Sequence, residues 1–261
     1  MHLEHVMKAF EILRQHQFFI KANKCAFGQQ ELEYMGHIVT NHGVKVDQSE
    51  IEVMVNRPRP NNISELHGFL GLTGYYRKFV RNYGLLARPL TNLLKKGQFE
   101  WNDEVEQAFL GLKHAMTTTP ILAMPNFSEP FTIETEASSD GIGAVFTQQG
   151  LPIVFMSRAL GVTKLSCSTY AKEILAILQA IQTWRPYLLG EKFFQQNLKY
   201  PLEQRIVTPE QQKKVAKLQG YGYEIIYCPG RENSVAEVLS RVPGVLFLMP
   251  YLCRRLDYGK T

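Results

Sequence analysis

The chain has little cysteine and no spacing that would put it to use. Its four cysteines, Cys25, Cys167, Cys228 and Cys253, are far apart. No pair has metal-ligand or redox-motif spacing, which argues against a cysteine-held metal or a redox dithiol. They read as buried or bystander thiols of a reducing compartment. Long apolar runs are missing too. The longest is Val245–Met249, with Tyr251 and Leu252 beyond Pro250. That is far short of the roughly 20 residues needed to span a bilayer. No signal peptide opens the chain, because residues 1–16 are amphipathic and charged. These absences predict an intracellular protein, cytoplasmic or nuclear, that is not secreted and has no membrane partner.

What is present suits a globular chain. Its 261 residues allow two domains with ordinary cores, and 45% are apolar and 20% charged. The net charge of +5 mildly favours an anionic partner. The basicity is local. From residue 57 to 96, Arg57, Arg59, Arg77, Lys78, Arg81, Arg88, Lys95 and Lys96 face a single acid, Glu65, for a balance of +7, so the remainder sums to −2. A phosphate backbone would be met by such a surface; a solvated charged face is the plainer alternative.

Periodicity organises the chain. Leu3, Val6, Met7, Phe10 and Leu13 predict an amphipathic helix over 2–16, with His2, His5 and His16 off its stripe. Phe18-Phe19-Ile20 reads as a short strand. Leu32–Val39, Asn41-His42-Gly43 and Val44–Val46 read as a hairpin. Asp47 with Glu50 opens a helix ended by Pro58 and Pro60, and Asn62 with Glu65 opens a second. The second should bury Leu66, Phe69, Leu70, Thr73, Tyr76 and Val80. Gly68, Gly71 and Gly74 on it serve close packing or, alternatively, close approach of a ligand backbone. Tyr75, Tyr76, Arg77, Lys78 and Arg81 interleave aromatics with cations, as nucleic-acid contacts require. Residues 103–117 form the cleanest helix, and Ile121–Glu129, with two prolines, reads as the boundary between halves.

In the second half, Phe131–Phe146 reads as two strands joined at Asp140-Gly141, with Glu136 near the end of the first. Asp140 is assigned to the turn. A third strand, Leu151–Ser157, a helix over Ser168–Trp184 and a very short strand at Phe193-Phe194 follow. Residues 195–219 read as helical in two pieces, Tyr223–Tyr227 as a strand and Asn233–Arg241 as a closing helix. This order predicts an α/β fold in which a mixed sheet carries helices on its faces.

The second half resembles the ribonuclease H domain of gypsy-type LTR retrotransposon Pol polyproteins, through FTIETEAS, GIGAVFTQQG, PIVFMSRAL, STYAKEILAI, WRPYLLG, YEIIYCPGREN and VAEVLSR. In the first half, KCAFGQQELEYMGHIV resembles the primer-grip hairpin of the same polymerase, ELHGFLGLTGYYRKFV its thumb helix, and FEWNDEVEQAFLGLK its connection. The resemblance covers about residues 2–242. It implies the end of the palm with its hairpin over 1–56, a basic helical thumb and connection over 57–127, a ribonuclease H-like domain over 128–242 and an unassigned tail over 243–261. It places Tyr34, Met35, Gly36, His37, Tyr75, Arg77, Lys78 and Arg81 on nucleic acid.

The same resemblance implies a pair of Mg²⁺ ions held by three aspartates and a glutamate. Carried over by position, these fall on Glu136, Glu173 and Glu237, as metal ligands and catalytic carboxylates, with no counterpart for the third aspartate. Glutamate reaches about one C–C bond further, roughly 1.5 Å, and Mg²⁺ tolerates such error poorly. Phe194 also runs directly into Gln195-Gln196-Asn197-Leu198-Lys199-Tyr200 where the family has more residues, which shortens the fourth strand. The family's polymerase aspartate pair precedes the helix that here begins at His2, and no Asp-Asp pair occurs in this sequence. The expectation is therefore a reverse transcriptase/ribonuclease H-like fragment that binds RNA/DNA hybrid or template-primer, once alongside the rest of Pol, without polymerase chemistry and with a crippled nuclease centre. An active ribonuclease H with glutamate ligands, and a relic or adopted interaction module, are the alternatives.

Overall fold

The computed structural model describes residues 2–95, 99–189, 193–196 and 223–226. The chain opens with α1 (His2–Gln15), as the apolar spacing predicts. Its stripe is not buried here: Leu3, Met7 and Phe10 are exposed. Phe18-Phe19-Ile20 forms no strand, and Phe19 stands fully exposed. Among the described residues no strand lies alongside to pair their backbone, and three apolar residues alone do not make a strand.

Three antiparallel strands follow, β1 (Glu31–Tyr34), β2 (His37–Thr40) and β3 (Gly43–Val46). The expected single strand over Leu32–Val39 is thus two. Met35 and Gly36 both take positive φ, 50° and 71°, and close a two-residue hairpin between Tyr34 and His37. Next come α2 (Gln48–Val55) and α3 (Ile63–Tyr75). Asn62 Oδ1 caps α3 by accepting from Glu65 N at 2.9 Å, and the Glu65 carboxylate returns to Asn61 N at 2.8 Å. The expected stripe past Tyr75 is not one helix. Tyr76 is the cap of α3, and Arg77–Phe79 is a tight 3₁₀ turn. Short helices α4 (Tyr83–Leu86) and α5 (Arg88–Asn92) lead to α6 (Asp103–Thr117), capped by Asn102 Oδ1 on Val105 N at 3.0 Å.

The second half holds β4 (Phe131–Ala137), β5 (Gly141–Gln148), β6 (Leu151–Ala159), α7 (Val162–Leu165), α8 (Thr169–Thr183), α9 (Arg185–Leu188), β7 (Phe193–Gln196) and β8 (Tyr223–Ile226). Its sheet runs β6-β5-β4-β7-β8, antiparallel on one side of β4 and parallel on the other. The mixed α/β architecture agrees with the expectation, and β7 includes Gln195 and Gln196, which the sequence reading gave to a helix. The expected helical pieces beyond residue 196 and the helix over Asn233–Arg241 lie outside the described residues.

Each face of this sheet has a different neighbour. Phe131 and Ile133 of β4, with Ala144 and Phe146 of β5, pack on Ile174, Ile177 and Ile181 of α8 and on Trp184. The opposite face meets the first half. Val145 of β5 and Phe155 of β6 belong to the core that contains Phe69, Tyr76, Phe79, Leu90, Phe109 and Met116. Full burial of one such aromatic contributes roughly 1.5–3 kcal/mol, so this seam is a shared core. The expected boundary segment is stitched on both sides: Leu122 and Val44 exchange backbone bonds of 2.8 and 2.9 Å, and Ala123 N donates to Pro152 O at 2.7 Å.

Candidate nucleic-acid interface and carboxylate site

The hairpin turn sits against the end of α3. Its two carbonyls each accept twice. Met35 O accepts from Tyr75 Oη at 3.1 Å and, within the hairpin, from His37 Nδ1 at 2.8 Å. Gly36 O accepts from Tyr76 Oη at 3.3 Å and from Asp47 N at 3.1 Å. A side chain on Gly36 would collide with the Tyr76 hydroxyl. The His37 ring is buried, with its centroid 5.4 to 5.5 Å from those of Tyr75, Tyr76 and Phe79. Burial, with Glu50 beside it, pushes the Tyr76 phenol up to about 12, so it stays a donor at neutral pH.

This packing sorts the sequence-predicted contact residues. Tyr34, Met35 and Tyr75 face outward, 61, 69 and 52% exposed. Arg77 and Lys78 are exposed immediately beyond Tyr76. Lys78 Nζ lies 5.3 Å from the Phe79 ring centre, and desolvation lowers its pKa. Gly36, His37 and Tyr76 are held inside the contact between turn and helix. Arg81 points another way: its guanidinium lies 5.1 Å over the Phe155 ring and its charge acts on Glu134. Other cations of the basic segment are also engaged internally. Arg59 stacks on Trp101 at 4.8 Å, and Arg88 pairs with Asp140 at 3.4 Å. Of the three helix glycines, Gly68 and Gly74 adjoin Arg57 and Tyr83, whereas Gly71 faces open space.

The carboxylates come from two elements. Alternation along β4 places Glu136 with Thr132 and Glu134 on the face away from the residues that pack on α8. Glu173 is half-buried on α8, and burial pushes its carboxyl up. Two polar residues here escaped the sequence reading. Glu134 accepts from Thr147 Oγ1 at 3.5 Å and is pushed up by burial, with Arg81 pulling the other way. Lys172 is buried and its Nζ donates to Ser139 O at 3.2 Å, tying α8 to the turn after β4. Only the hydrophilic gap in the α8 stripe at Lys172 could have signalled it.

Asp140 does lie in the turn. Ser138 Oγ organises that turn by accepting from Asp140 N and Gly141 N at 3.2 and 3.1 Å. Among the described residues no group of three or more His, Cys, Asp and Glu is placed to hold a metal ion. Glu136 and Glu173 lie within them and Glu237 lies outside. The described donors do not make up the set that a pair of Mg²⁺ ions demands, and no chemical step is drawn through that metal. Among the described residues no helix is long and apolar enough to cross a membrane.

Comparison with known proteins places this arrangement. Residues 101–194 match the RNase H-like domain found in reverse transcriptase. The Pol polyprotein of Drosophila melanogaster transposon 297 is 38% identical over 247 residues, 92% of this chain and 23% of that protein. That of the Drosophila melanogaster transposon gypsy is 30% identical over 258 residues, 92% of this chain and 25% of that protein. The chain belongs to the gypsy-type LTR retrotransposon Pol family. It corresponds to the C-terminal region of reverse transcriptase followed by the RNase H-like domain, and spans about a quarter of these Pol relatives. The foamy viral protease-reverse transcriptase in complex with RNA/DNA hybrid shares the fold, with a TM-score of 0.78 at 19% identity over 97% of this chain and 36% of that one.

Proposed function

We propose that this Pol segment grips template-primer or RNA/DNA hybrid through the hairpin tip and the thumb, while its nuclease centre contributes little or no chemistry. One observation carries the reading: Tyr34 and Met35 on the hairpin tip and Tyr75 at the end of α3, hydrogen-bonded to that tip, are exposed just before the exposed Arg77-Lys78 stretch. Exposed rings and a flexible thioether offer surfaces for sugars and bases, and the cations neutralise phosphates. The relative in complex with RNA/DNA hybrid supports the choice of ligand. Polymerase chemistry would require the aspartate pair that this sequence does not contain.

For the nuclease we assign Glu136, Glu173 and Glu237 as degenerate ligands of the family's Mg²⁺ pair, with the third aspartate missing. A carboxylate displaced by about 1 Å can cost on the order of 100-fold in rate.

The test is a binding titration of the full chain on RNA/DNA hybrid from about 50 to 200 mM salt. Affinity should fall steeply with salt, and Arg77→Gln and Lys78→Gln should each lower the log–log slope by about 1. Binding insensitive to salt, or absent, would defeat the reading. Labelled hybrid incubated with Mg²⁺ or Mn²⁺ should stay largely intact; cleavage abolished by Glu173→Gln would restore an active ribonuclease H.

A further inference from the structure

We infer that Tyr75 and Tyr76 are positioning residues whose hydroxyls yoke the hairpin tip to the thumb cations, so that the two patches meet nucleic acid as one rigid unit. The inference rests on the nucleic-acid reading above and adds to it how the gripping surface is held.

The two hydroxyls come from consecutive residues and reach consecutive carbonyls, Met35 O at 3.1 Å and Gly36 O at 3.3 Å. They span forty residues of sequence to do so. The turn they hold has positive φ at both central positions, and Met35 is not glycine. Such a turn is costly for a side-chain-bearing residue, and the external bonds help to fix it. The hairpin reciprocates by inserting the His37 ring among Tyr75, Tyr76 and Phe79. The backbone then leaves Tyr76 directly into the Arg77–Phe79 turn. Any displacement of the hairpin tip relative to Arg77 and Lys78 must therefore break hydroxyl bonds or slide rings. Both rings remain when the hydroxyls are removed, so the yoke can be tested apart from aromatic contact with the ligand.

The experiment compares the full chain with Tyr75→Phe/Tyr76→Phe, using the same hybrid and salt series together with hydrogen exchange. The double variant should bind about 10-fold more weakly, as expected for the net loss of two ordinary hydrogen bonds. Its salt slope should match the parent, because Arg77 and Lys78 are intact. Exchange over residues 34–37 should rise while α6 keeps its protection; general destabilisation would raise both. A folded double variant with parental affinity and parental exchange would overturn the yoke and leave the binding reading standing. Salt-insensitive binding by the parent itself would remove the reading and the yoke together. If the double variant does not fold, Tyr75→Phe alone decides: its half-exposed ring keeps Tyr76 in place, and unchanged exchange at residues 34–37 would overturn the yoke.

Discussion

Glu134 carries a carboxylate into the seam between β4 and the first half, where burial pushes its pKa up and Arg81 only partly offsets that. The sign follows. A carboxyl with a raised folded pKa favours folding in its neutral form; that contribution is whole below the unfolded value and is lost as pH rises through the folded one. Glu134→Gln, which keeps the partner for Thr147, should therefore be more stable than the parent at pH 7. The advantage should shrink as pH falls toward the ordinary glutamate range, about 4.3. Urea midpoints for both proteins across that interval provide the check, and a gap that widens in acid would contradict the burial. The sequence shows Glu134 only as one polar position of an alternating strand. Its neighbour Arg81 arrives from 53 residues earlier, so that proximity was not legible. Lys172 and the Arg88–Asp140 pair were illegible for the same reason: their partners are set by packing.

Between element ends, local chemistry was legible wherever it is local. Asp47 and Asn62, read as helix openers, stand where their helices begin and cap them. The reading failed where a bend needs a distant partner. Nothing in Tyr34-Met35-Gly36-His37 resembles the usual Asn-Gly hairpin, and the turn gains its bonds from the end of α3. For that reason Gly36 has two duties, a φ of 71° and room for the Tyr76 hydroxyl. Gly36→Ala should cost about 1–3 kcal/mol in chemical denaturation, with β1 and β2 losing exchange protection first. Parental stability would mean that turn and helix are not in contact. The helix break at Tyr75 was hidden similarly, because the apolar spacing continues through Val80 while the backbone tightens to 3₁₀.

For the molecule as a whole, the sequence suggested two halves, and the structure fuses their cores at Val145 and Phe155. The two tryptophans report on them separately, Trp101 beside the first core and Trp184 inside the second. Trp101→Phe and Trp184→Phe should each leave one fluorescent reporter, and the two denaturant midpoints should coincide. Phe155→Ala should move both midpoints together, by about 3–5 kcal/mol. Separate transitions would show that the seam does not couple the halves. The seam also bears on inheritance. Strands β5 and β6, whose Val145 and Phe155 line the core of the first half, are held by that packing independently of the carboxylates on β4. Changes at those carboxylates can thus leave the sheet standing as a buttress for the neighbour that leans on it.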